Sequence, residues 1–144
     1  MKNILLMVIA LLFLDSAIFG CTCLPSENAK EELERAAVVF TGKIIEVKRH
    51  PQARDLFAGV EAVIEADKAW KGVEKRTVSV FTSSESSACG YSFQKGEVYL
   101  VYASQNTEGR FITSICSRTR RMKEAGSDLK ALGEGKNVPK EGEQ

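Results

Sequence analysis

Four cysteines, Cys21, Cys23, Cys89 and Cys116, constrain this chain more than any other feature. An even count in an exported protein reads as two disulfides. Four cysteines allow three pairings. A Cys21–Cys23 bridge is disfavoured, because so small a ring is strained. The two leading cysteines are each left to reach a distant partner. Closing loops of that length stabilises a fold by about 4 kcal/mol per bridge in the chain-entropy description, before strain. The 144 residues have the length of one domain.

Export is read from residues 1–20. Lys2 supplies a basic start, and residues 4–14 form an unbroken apolar run too short for a comfortable membrane span. Asp15 and Ser16 end the run, and Gly20 precedes Cys21. Together these features describe a secretory signal peptide. Cleavage after Gly20 makes Cys21 the first mature residue. A buried N-terminal helix and a retained membrane anchor are the competing readings. Residues 18–21 also weakly resemble a bacterial lipoprotein signal, although Phe19 is bulky where small residues are usual. Lipidation there would attach the protein to a membrane and consume both the amine and the sulfur of Cys21. The destination expected is extracellular, or periplasmic in a bacterium.

The formal net charge is +1. A near-neutral balance argues against nucleic acid as a partner, which needs a basic face. The lone His50 sits beside Pro51 in a polar stretch and reads as a loop residue rather than a ligand. Arg118, Arg120, Arg121 and Lys123 read as one exposed helix face. No Ser-His-Asp set, zinc-ligand spacing or phosphate loop is visible. The chain is therefore expected to be no enzyme and to carry no cofactor of its own. A redox role for Cys21-Thr22-Cys23 is disfavoured, because such sites use Cys-x-x-Cys ahead of a helix.

Periodicity sketches the fold. Ser26, after Pro25, is placed to cap a helix over residues 27–36, whose Ala29, Leu33, Ala36 and Ala37 share one face. Residues 38–47 are rich in β-branched side chains, and Gly42 marks a bulge or bend. Residues 50–55 form a loop. Strands follow at 60–70 and 77–82, with a turn at Lys71-Gly72. Residues 83–88 are a polar loop into Cys89. Residues 98–103 are apolar on both faces, which fits a central strand. A fifth strand is expected over 110–115 and a helix over about 117–132. Phe40, Trp70, Phe81, Tyr99, Tyr102 and Phe111 are expected in the core. The resulting architecture is mostly β: a five-stranded, OB-like closed barrel with a short N-terminal helix and a C-terminal helix. The domain spans 21–132, and residues 133–144 read as a disordered tail.

Several motifs resemble the tissue inhibitors of metalloproteinases, within the netrin-like domains. They are Cys21-Thr22-Cys23-Leu24-Pro25, Phe40-Thr41-Gly42-Lys43, Lys68-Ala69-Trp70-Lys71-Gly72, Cys89-Gly90-Tyr91 with the 85–88 stretch before it, and Ile112-Thr113-Ser114-Ile115-Cys116. The match covers roughly residues 21–118 and corresponds to the N-terminal inhibitory domain. The family's third disulfide in that domain has no counterpart here. The resemblance implies the pairings Cys21–Cys89 and Cys23–Cys116. It implies a monomeric inhibitor whose partner is a zinc metalloendopeptidase. The free amine and the carbonyl of Cys21 would chelate that protease's zinc. Thr22 would enter the pocket beside the zinc, and Cys23, Leu24 and Pro25 would lie along the cleft. Glu85, Ser86, Ser87 and Ala88 would fill the opposite side. A non-inhibitory netrin-like extracellular binding module would share every core feature without needing a free Cys21 amine.

Overall fold

A computed structural model describes residues 21–24, 26–51, 58–84 and 89–139. Residues 1–20 and 140–144 lie outside the described residues, as do Pro25, Glu85, Ser86, Ser87 and Ala88.

The β-branched run after the leading helix builds a long strand, β1 (Val38–Arg49). It pairs antiparallel with β2 (Val60–Lys71), and β2 pairs antiparallel with β3 (Thr77–Thr82). Strand β4 (Val98–Gln105) pairs antiparallel with β1 and with the short β5 (Phe111–Ile112). A parallel pairing of Val80 with Phe111 and Phe81 with Ile112 joins β3 to β5 and completes the ring. The order β1-β2-β3-β5-β4-β1 is the closed five-stranded barrel, and closure removes the open edges a sheet would otherwise present.

Gly42 bends β1, as its sequence context suggests. A Cβ there would stand 2.7 Å from the Glu65 carbonyl oxygen and 2.7 Å from Ile64 Cγ2. The pairing with β2 shifts register on that side of the glycine, between Thr41 and Gly42. Only a residue without a side chain lets the two backbones approach so closely.

Side-chain alternation divides the core into two layers. Val38, Phe40, Ile44, Ala62, Ile64, Val78, Val80, Tyr99, Val101 and Ala103 fill the barrel. Val39, Leu100 and Tyr102 point the other way, toward α1 (Ala29–Arg35) and α2 (Gly126–Leu132). Strand β4 is buried on both faces for that reason. Three of the six expected core aromatics, Phe40, Tyr99 and Tyr102, are fully buried. Trp70, Phe81 and Phe111 are half-buried. Phe81 faces outward, with the Arg110 guanidinium 5.5 Å from its ring centre.

Four local readings change. The cap of α1 is Asn28, whose Oδ1 accepts from the Lys30 and Glu31 amides at 3.0 Å each, and not Ser26. Helix formation from Ser117 does not occur. Arg120–Arg121 instead forms β6 against β4, a 3-10 turn follows at Met122–Glu124, and only then does α2 begin. The fifth strand stops at Ile112, because the next side chain, Thr113, turns its hydroxyl onto the Tyr102 carbonyl at 2.9 Å. The expected tail is ordered in part. Lys136–Asn137 forms β7 on β2, the Gly133 carbonyl accepts from the Trp70 indole at 2.9 Å, and Val138 is 6% exposed within the barrel core. One valine, isolated in a polar stretch, gives no periodic signal.

Candidate functional site

The leading segment is held by sulfur rather than by packing. Cys21 is bridged to Cys89, with Cα atoms 5.7 Å apart, and Cys23 to Cys116, at 5.0 Å. These bridges close separations of 68 and 93 residues. Exposure alternates along the segment. Cys21 and Cys23 are half-buried, Thr22 is exposed, and Leu24 is 90% exposed. The bridges thus take the inward positions and leave Thr22 and Leu24 on the outside.

The partners of those bridges are themselves fixed. The Ile115 amide donates to the Cys89 carbonyl at 3.0 Å, which ties the two anchoring cysteines together. The Tyr91 amide donates to Thr82 Oγ1 at 2.8 Å. The Tyr91 ring packs on Phe93 and Tyr99, with centroids 4.8 and 6.0 Å away. Burial pushes the Tyr91 phenol up to about 12, in keeping with a ring packed partly away from water. Cys-Gly-Tyr is therefore a plug in the barrel wall that carries Cys89 beside Cys21. Cys89 itself has φ 58°, a left-handed conformation that costs a non-glycine residue roughly 1–2 kcal/mol. The surrounding contacts and the bridge hold it there.

On the other side, a knot of hydroxyls shapes the turn that carries Cys116. Thr113 and Thr119, both buried, place their Oγ1 atoms 2.9 Å from the Tyr102 carbonyl. The Tyr102 amide donates to Thr119 Oγ1 at 2.9 Å. Ser117 Oγ lies 2.7 Å from Thr113 Oγ1 and donates to the Ser114 carbonyl at 2.8 Å. Ile115 is left 51% exposed next to the Cys23–Cys116 bridge. An open groove of about 830 Å³ runs from Leu24 between α1 and the 112–117 stretch.

The site residues expected from sequence therefore divide. Cys21, Thr22, Cys23 and Leu24 come together as one exposed edge, next to Cys89. Pro25 and the loop residues Glu85, Ser86, Ser87 and Ala88 fall outside the described residues. Sequence reasoning missed the group behind the edge. Arg118 and Arg120 do not share a solvated helix face; both turn toward Asp128, a carboxylate 1% exposed on α2. Burial alone would raise the Asp128 pKa. The Arg118 hydrogen bonds, with the charges of Arg120 and Arg118, outweigh that and hold it below the ordinary carboxylate value.

His50 follows β1 and lies 3.1 Å from the Glu61 carboxylate, which also accepts from the Ser79 hydroxyl at 2.7 Å. Among the described residues, no group of three or more His, Cys, Asp or Glu side chains could hold a metal ion. No helix among them is long and apolar enough to cross a membrane. No family model and no curated protein matches the chain.

Proposed function

We propose that this protein is a secreted inhibitor of zinc metalloendopeptidases, of the kind its cysteine and Thr-Ser-Ile-Cys motifs resemble. Once residues 1–20 are removed, Cys21 offers an α-amine and, on the same residue, a carbonyl oxygen. The pair closes a five-membered chelate on the target's zinc. A catalytic zinc keeps one position open for water. Filling it removes the nucleophile on which hydrolysis depends. The reference pKa of an α-amine is about 8, so a modest bias frees its lone pair at neutral pH.

The observation that carries the reading is the cross-linked edge. Both cysteines are bridged into the barrel wall, while Thr22 and Leu24 between and after them stay exposed. An edge ordered before binding loses little conformational entropy on docking. Thr22 then enters the pocket beside the zinc, and Leu24 lies along the cleft.

The test is register. The mature protein is isolated, its first residue confirmed as an unblocked Cys21, and its titration against a zinc endopeptidase compared with a variant carrying one Ala before Cys21. Dose-dependent inhibition by the first and none by the second is expected. Equal potency of the two removes the chelate mechanism and leaves a binding module.

A further inference from the structure

Two bridges fix Cys21 and Cys23, yet the chain must still run from Cys23 to the Asn28 cap of α1. Leu24, 90% exposed, gives it little hold. Ser26 is the next described anchor. It is 5% exposed, and its hydroxyl has no hydrogen-bond partner. Its carbonyl oxygen accepts from Arg118 Nη1 at 3.3 Å. Arg118 stands two residues beyond Cys116, so one short stretch grips the leading segment twice, by sulfur at Cys23 and by hydrogen bond at Ser26.

The rest of that guanidinium is committed to α2. Nη2 donates to Asp128 Oδ1 at 2.6 Å, and Nε to Oδ2 at 3.0 Å. The same carboxylate takes the Tyr102 hydroxyl at 3.3 Å, and Arg120 Nε stands 3.7 Å away. A buried ion pair is a poor general stabiliser, because desolvating both charges offsets much of their attraction. Its geometry, however, is exacting. A planar fork held through two nitrogens has no freedom left, and its third nitrogen points to one place. Here that place is the Ser26 carbonyl.

We propose that Arg118, oriented by Asp128, is a positioning residue for the part of the edge beyond the second bridge and sets the direction in which Leu24 projects, while the two bridges hold Thr22 between them. Its consequence for affinity rests on the inhibitory reading; the positioning itself is a property of the protein alone. Lysine at 118 keeps the charge but loses the planar two-nitrogen grip on Asp128 that aims the third nitrogen at the Ser26 carbonyl. The pair R118M/D128L replaces both charges with apolar side chains of similar length.

Three readouts are compared across wild type, R118K and R118M/D128L. They are the thermal midpoint, the backbone amide order parameters of Thr22, Leu24 and Ser26 from ¹⁵N relaxation, and the inhibition constant against one zinc endopeptidase. R118M/D128L is expected to melt somewhat below wild type, because the buried Tyr102 hydroxyl and Arg120 also lose Asp128, to lose order at Leu24 and Ser26 while Thr22 between the bridges keeps it, and to inhibit about tenfold more weakly or worse, the scale seen when supporting contacts behind a ligand are lost. R118K loosens the edge in the same way and decides the matter if the double variant does not fold. Unchanged order parameters at Leu24 and Ser26 in the folded variants overturn the proposal. So does inhibition that merely tracks the thermal midpoint. If wild type inhibits nothing, the inhibitory reading fails alone, and the order parameters still judge the positioning.

Discussion

Replacing Gly59 by alanine tests how closely the β1–β2 hairpin is fitted against the loop leading to Cys89. Gly59 closes the hairpin, and its carbonyl accepts from the His50 amide at 2.8 Å. A Cβ added there would stand 2.6 Å from Ser84 Oγ, 2.9 Å from Ser84 Cβ and 3.1 Å from the Ser84 nitrogen. Carbon atoms sit comfortably at about 3.5 Å or more, so the carbon–carbon approach falls short by roughly 0.6 Å. Turning the serine side chain moves Oγ away but leaves Cβ and the nitrogen where they are. The Ser84 backbone must therefore shift. Overpacking of this kind costs about 1–3 kcal/mol, and the exposed position of Ser84 places G59A in the lower half of that range. For a domain of this size the thermal midpoint should fall by roughly 4–8 °C. The decisive assay is a double-mutant cycle by urea denaturation with S84G, which removes both Oγ and Cβ. The double variant should recover about 1 kcal/mol relative to the sum of the single changes. Strict additivity refutes the steric argument, whatever G59A costs alone.

Acid should unfold the protein partly through Asp128. Its folded pKa lies below the ordinary 3.8, so its contribution is complete above that value and is lost as pH falls through the folded value. Denaturation midpoints followed from neutral pH to about pH 2 should show a steeper acid limb in wild type than in D128N; parallel limbs count against the ion pair. Val138→Ala should cost about 2 kcal/mol, because the side chain completes the barrel core. No change in the urea midpoint would return the 133–139 stretch to the status of a solvated tail.

What sequence reading found was local in cause. Alternation in Thr77–Thr82 and the double-faced apolar run of Val98–Gln105 each report a strand's own surroundings, so both strands were legible without the fold. The bend at Gly42 was legible because one residue type accounts for it. Ser26 was misread because Ser, Asn and Asp compete for the same cap, and Asn28 two positions later offers the better geometry. The Arg118–Asp128 pair left no trace, since a cation and an acid ten positions apart in a charged stretch look like solvated surface. The Thr119 bonds to Tyr102, together with the β6 pairing that turns Arg120–Arg121 into a strand instead of a helix, bring Arg118 inward.

The residues that specify the barrel and those that form the edge are almost disjoint. Among the described residues, none before Ala29 enters either core cluster. Core side chains fix strand register, because a slip by one residue would turn every one of them outward. The edge has no such constraint: its order comes from two sulfur bridges and the Arg118 fork, each acting on backbone or on cysteine. Thr22 and Leu24 are consequently free of structural duty at the positions where a partner would meet them. On the proposed inhibitory reading, target choice would be carried by side chains whose replacement leaves the scaffold intact, the arrangement expected when function rides on a rigid support.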